Sequence, residues 1–184
     1  MSAQSTILLA ILLPLAGAVG IALAGRVSAN ARETVTLVTA GGLALTVWSL
    51  LPSVMAGGRP AVTVTELLPG VELAFRVEPL GMLFAALASG LWIVNSLYSI
   101  GYMRGNNEKH QTRFYVMFAV SLAATMGVAF AGNLITLFLF YEMLTLSTYP
   151  LVSHKGDANT VRSARVYLGI LLTTSIGLFL PAII

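Results

Sequence analysis

Six long apolar runs alternate with short polar connections along the chain. A run of about 20 predominantly apolar residues is long enough to cross a hydrocarbon core as a helix. The runs predict helices at about 6–25, 34–55, 80–103, 112–131, 134–152 and 160–184. The connection from Pro52 to Pro79 has a different period. Val71 to Glu78 places every apolar side chain except Ala74 on alternate positions, as a half-buried strand does. Val62-Thr63-Val64-Thr65 reads as its partner, with Pro69-Gly70 as the turn. A β-hairpin over about 61–78, lying on the membrane surface, is expected, with Glu66, Glu72, Arg76 and Glu78 on its solvated face. In the second run, Ala40, Gly41, Gly42 and Ala44 would permit close helix contact. Asn159 is the N-cap candidate for the last helix. The expected fold is all-α and integral to the membrane: six transmembrane helices in a single domain, 1–184, with a short hairpin between the second and third.

Composition narrows the chemistry. Of 184 residues, 57% are hydrophobic and 9% charged, which excludes an ordinary soluble domain. The absence of cysteine removes disulfides, thiolate metal sites and cysteine nucleophiles. His110 and His154 lie among loop-type residues without paired ligand spacing, so no metal site is expected. There is no glycine-rich phosphate loop and no nucleophile beside a base, so neither a catalytic site nor a cofactor is expected in this chain.

The net charge of +3 is better explained by orientation than by nucleic acid. Arg26, Arg32, Arg104, Lys109, Arg113, Lys155, Arg162 and Arg165 fall on one side, against Arg59 and Arg76 on the other, eight against two. The positive-inside rule makes the basic side cytoplasmic, which puts the hairpin and both the N and C termini outside the cytoplasm. For a bacterial inner membrane that side is the periplasm. The first run starts without positive charge and reads as a retained helix rather than a secretory signal. Arg26 and Arg32 are expected to bracket a polar turn ahead of the second helix.

Glu142 is the one charge in the fifth run. A carboxylate at mid-bilayer costs roughly 2.5–3.5 kcal/mol on insertion scales, so such a group normally faces a bundle interior or a hydrated path. Thr145 and Tyr149 follow it by three and seven residues and share its helix face, making a polar stripe. Pro150 removes a backbone hydrogen bond and favours a kink near Leu146. Thr173, Thr174 and Ser175 form a polar belt midway along the last helix, which would border the stripe if the two helices pack. Arg165 is the local cation that could serve as a charge partner. Its place near a helix start equally suits an arginine snorkelling to the interface.

Glu78-Pro79-Leu80-Gly81-Met82-Leu83-Phe84, Tyr98-Ser99-Ile100-Gly101-Tyr102-Met103 and the segment from Asn133-Leu134 to Phe140-Tyr141-Glu142 carry a family resemblance over nearly the whole chain. It resembles the N-terminal part of the antiporter-like subunits of the complex I membrane arm, of membrane-bound hydrogenases and of Mrp-type Na⁺/H⁺ antiporters. The resemblance implies a proton-translocating subunit, moving H⁺ or exchanging Na⁺ for H⁺, in a larger respiratory or antiporter assembly. It implies partners among the lipid bilayer and other membrane subunits, with any redox chemistry, such as NADH–quinone oxidoreduction, in other chains. It assigns Glu142 the role of a protonatable relay paired with a lysine on a seventh helix. Tyr141 stands where that family often has Trp or Phe. The chain stops after six helices, so the expectation is a fragment, a split product or a subunit that cannot pump alone. The competing expectation is a non-conducting structural or assembly subunit.

Overall fold

Four helices begin where a side chain can accept from the backbone. The side-chain oxygens of Ser2, Ser28, Asn133 and Asp157 accept hydrogen bonds from the N–H groups of Ser5, Ala31, Thr136 and Thr160, satisfying donors that a helix start leaves open. The computed structural model describes residues 2–183. Its elements in order are α1 (Ala3–Ala24), α2 (Ala29–Trp48), α3 (Leu51–Met55), β1 (Ala61–Leu68), β2 (Val71–Arg76), α4 (Pro79–Gly105), α5 (Gln111–Ala129), α6 (Leu134–Val152), α7 (Ala158–Thr174), a π-helical turn (Ser175–Phe179) and α8 (Leu180–Ile183). Six segments are long and apolar enough to span a membrane: Ala3–Ala24, Ala29–Met55, Pro79–Gly105, Gln111–Ala129, Leu134–Val152 and Ala158–Ile183.

Three of the differences from the sequence expectation have a local reason. The second span starts at Ala29, because Ser28 caps it, so Arg32 is inside a helix rather than in a turn. That span is interrupted at Ser49–Leu50 and resumes as α3 with Pro52 in its first turn, where a missing N–H costs nothing. The last helix is capped by Asp157 and not by Asn159. The Asp157 carboxylate accepts from both the backbone N–H and the hydroxyl of Thr160, at 2.8 and 2.7 Å, and these bonds hold it below the ordinary carboxylate range. The expected end of that helix at Ile184 lies outside the described residues.

α1 lies at the centre, packed against α2 on one side and α5 on the other; α2 carries α4, and α5 carries α6. Ile7, Ile21, Leu43, Met82, Trp92 and Met126 are fully buried between them. α7 packs chiefly on α6. Only 6% of the last span is buried, against 44% of Gln111–Ala129, so its outer face is uncovered within this chain.

The hairpin is antiparallel, with Ala61 opposite Arg76 and irregularities between Thr63 and Thr65 and between Glu66 and Leu68. Gly70, at φ +80°, makes the turn that a side chain would strain. Glu66, Glu72, Arg76 and Glu78 are all exposed. The other face does more than rest on a surface. Phe75 and Val77 are buried, and the outer edge of β2 is taken up by the α5–α6 turn. The Arg76 N–H donates to the Phe130 carbonyl at 2.7 Å, the Gly132 N–H to the Ala74 carbonyl at 2.8 Å, and the Asn133 amide to the Glu72 carbonyl at 2.7 Å. A strand edge and a tight turn thereby satisfy each other's backbone groups.

The chain thus collects the hairpin, the start of α1, Asn133 and Ile183 at one end of the bundle. The turns near Gly25, between Asn107 and His110, and from His154 to Gly156 gather at the other.

Candidate functional site

The inward face of α6 mixes hydroxyls with two aromatic rings, and its outward face is apolar. Thr136, Phe138, Thr145 and Ser147 are buried, while Leu134, Leu139, Leu146 and Val152 are exposed. In lipid this is the expected order, since polar side chains hold helices together and apolar ones meet acyl chains. The hydroxyls of Ser147 and of Ser121 on α5 are hydrogen-bonded at 2.8 Å. Gly127 of α5 lets the Phe140 ring of α6 approach so closely that a Cβ there would overlap it.

Glu142 lies halfway along this helix. It is half-buried, and its Oε1 is enclosed with no hydrogen-bond partner. It lines an open groove of about 560 Å³ between α5 and α6, together with Met117, Val120, Leu139, Met143, Leu146, Ser147 and Pro150. Apart from Ser147 these neighbours are apolar. α6 continues as a helix through Pro150 to Val152.

None of the other sequence candidates lines this groove. Thr145 is buried and Tyr149 half-buried, and neither is among the groove's lining residues. Thr173 is exposed. Thr174, whose hydroxyl donates to the Ile170 carbonyl at 2.8 Å, lines a separate groove of about 480 Å³ with Ser175, Leu137 and Tyr141. Thr174 and Ser175 of the polar belt therefore face Tyr141, one residue round the helix from Glu142, and Thr173 does not. The π-helical turn starts at Ser175 on this same wall, an irregularity that often accompanies function. Arg165 is exposed and makes no ion pair among the described residues.

A second ionisable cluster was not apparent from sequence. Arg32 and Glu33, each 6% exposed, sit in the second turn of α2. Both carboxylate oxygens of Glu33 accept from Arg104 at the end of α4, and Oε1 also accepts from Arg32 at 3.2 Å. Arg32 donates further to Gln111 at 2.7 Å and to Thr112 at 3.3 Å, and its guanidinium lies 5.1 Å from the centre of the Tyr115 ring. Arg104 also bonds the Asn30 side chain. The cluster ties α2, α4 and α5 together at the basic end. Its signals were the Ser28 cap, which draws Arg32 and Glu33 into the helix, and an acid on the same side as Arg104.

No protein-family model matches the chain. It is 33% identical to the A1 subunit of the Na⁺/H⁺ antiporter of Staphylococcus aureus strain bovine RF122 / ET3-1 over 98 residues, 53% of this chain and 12% of that protein. The corresponding protein of S. aureus strain Newman is 32% identical over the same length. The match therefore spans about an eighth of these relatives. Among solved structures, a chain of the archaeal membrane-bound sulfane sulfur reductase superposes with a TM-score of 0.78 at 16% identity, covering 93% of this chain and 34% of that one. A chain of the Mrp complex from Dietzia sp. DQ12-45-1b superposes with a TM-score of 0.73 at 26% identity, covering 91% of this chain and 18% of that one. With six apolar spans and this likeness in both sequence and fold, the chain is an integral membrane protein homologous to the A-type subunits of Mrp Na⁺/H⁺ antiporters.

Proposed function

We propose that the chain works as a membrane subunit of an antiporter-like complex, or as the N-terminal part of such a subunit, and that Glu142 relays protons within it. The observation that carries this is the enclosed, unpartnered carboxylate oxygen of Glu142 in a groove that the chain leaves open. An acid in that setting is costly to keep at bilayer depth, and intramembrane ionisable groups are by default functional. The open side of the groove and the bare face of α7 leave room for further helices to close over it. A lysine on such a helix would give the carboxylate a counter-ion, and forming and breaking that pair would load and release a proton. The transported ion is H⁺, with or without Na⁺ in exchange. Thr145, Tyr149, Thr173 and Thr174 are secondary candidates for the polar route, and Arg165 for a charge partner. In the positive-inside orientation the end bearing the Arg32 cluster faces the cytoplasm of a bacterial cell.

The test is Glu142→Gln in the assembled complex, followed as pH-gradient formation in inverted membrane vesicles. Loss of coupled ion movement with undiminished insertion of the chain is the expected result. Transport at the parental rate refutes the relay. If Glu142→Ala also transports normally while removal of the chain dissolves the complex, the chain is a non-conducting scaffold. That second reading draws on the lack of any cation paired with Glu142 among the described residues.

A further inference from the structure

At the basic end of the bundle, away from Glu142, the loop before α5 and the loop before α7 meet around a pocket of about 470 Å³. Lys109, His110, Arg113, His154 and Lys155 line it, with Glu108 as the single carboxylate. The loops are tied together: the Arg113 guanidinium donates to the His154 carbonyl at 3.2 Å, and the Phe114 ring meets the His154 ring edge-on at 5.6 Å. Both ring nitrogens of His154 are enclosed without a hydrogen-bond partner. Neither Lys109 nor Lys155 is in an ion pair among the described residues. Three positive side chains, one negative one and two imidazoles thus line one polar recess.

The backbone around the recess turns sharply. Asn107, His110 and Gly156 all adopt left-handed conformations, at φ 51°, 57° and 74°, and the first two do so without being glycine. The pocket also lies at the ends of three apolar spans, Pro79–Gly105, Leu134–Val152 and the start of Gln111–Ala129, so that helices crossing a bilayer would carry it near the headgroups. Basic recesses between helix ends on the cytoplasmic side suit phosphate-bearing headgroups, and a guanidinium offers a forked donor to phosphate oxygens.

We propose that this pocket binds a phosphate group, supplied either by an anionic phospholipid headgroup or by free phosphate. Lys109 and Lys155 neutralise the charge from two sides, and Arg113, already anchored to the second loop, holds the oxygens in register with His110. Burial first, and the charge of Arg113 second, push the His154 imidazole below the ordinary histidine range, a direction that an arriving anion opposes.

The experiment compares the parental complex with a Lys109→Gln/Lys155→Gln variant, both substitutions being at exposed side chains. An Arg26→Gln/Arg162→Gln variant removes the same charge from exposed positions outside the pocket. One arm reads retained phosphatidylglycerol by native mass spectrometry after purification from membranes containing it. The other titrates inorganic phosphate into complex held in phosphatidylcholine nanodiscs and reads the broadening of its ³¹P resonance. The parental complex is expected to bind in one arm, which identifies the source, and the lysine variant to bind about fivefold more weakly for each lysine removed. The arginine variant is expected to match the parent. No parental binding in either arm, undiminished binding by the lysine variant, or equal loss in both variants overturns the proposal.

Discussion

Two acids within the spans meet opposite treatment. Glu33 has both oxygens occupied by Arg104 and one also by Arg32, whereas Glu142 has an enclosed oxygen with no partner. Removing Glu33 leaves the buried Arg32 guanidinium without its carboxylate, which is destabilising because the partner charge is left without compensation. Arg104 keeps 47% of its side chain exposed, so water can take over its solvation. Glu33→Gln should therefore lower the melting temperature of the detergent-solubilised protein by several degrees, as followed by size exclusion after heating. Joining it with Arg104→Gln should recover part of that loss; a double variant less stable than the single one would mean that Arg104 does not depend on Glu33. Glu142→Gln, in contrast, removes no pair within this chain and should leave the melting temperature close to parental. That difference in stability response separates an ion pair that holds helices from an acid available for protons. The Glu33 pair was hidden in the sequence because its partner is 71 residues away. Nothing local distinguishes Arg32 and Glu33 from loop residues except the serine that caps their helix.

At the level of elements, length and apolar period made the six spans legible, since a bilayer allows few alternatives to a helix that satisfies its own backbone. The hairpin was equally visible through its period of two and its Pro69-Gly70 turn. Its docking was not, because the bonds from Gly132 and Asn133 to β2 join segments whose local patterns say nothing about each other. The rotation of α6 about its axis was also illegible. Glu142, Thr145 and Tyr149 share a face by spacing, but the close fit of Phe140 into Gly127 and the Ser121–Ser147 bond determine which residues meet the groove. These two contacts differ in weight. Hydrogen bonds between membrane helices average about 0.6 kcal/mol, so Ser147→Ala should change stability little. Gly127→Val must displace an aromatic ring in a packed interface, where overpacking typically costs about 1–3 kcal/mol. Thermal denaturation of the two variants should rank Gly127→Val as clearly the more damaging. The reverse order would mean that polar bonding, rather than close approach, holds α5 to α6.

For the whole molecule, the distribution of burial is lopsided. α1 is packed between α2 and α5, with 39% of its span buried, while the span from Ala158 to Ile183, 6% buried, presents Val166, Ile170, Ile176 and Leu178 outward at 50% exposure or more. Apolar exposure alone does not distinguish a lipid-facing helix from one awaiting a protein neighbour, because acyl chains and leucines are equally apolar. Polar detail does: the same helix turns Thr174 and Ser175 toward Tyr141, and its π-helical turn widens the backbone beside a groove of about 480 Å³. If further helices of an antiporter-like protein close over α6 and α7, as the proposed function requires, the outer face of α7 is covered in the assembly and that of α1 need not be. The absence of native cysteine allows a direct measurement. Nitroxide labels at Ile170→Cys on α7 and Val19→Cys on α1, residues that are 62% and 61% exposed in the chain, should report different collision rates with dissolved oxygen in the assembled, membrane-embedded complex. Shielding at position 170 relative to position 19 is the expected outcome. Equal, high oxygen access at both would leave α7 bordering lipid and deny Glu142 the protein wall from which its counter-ion has to come.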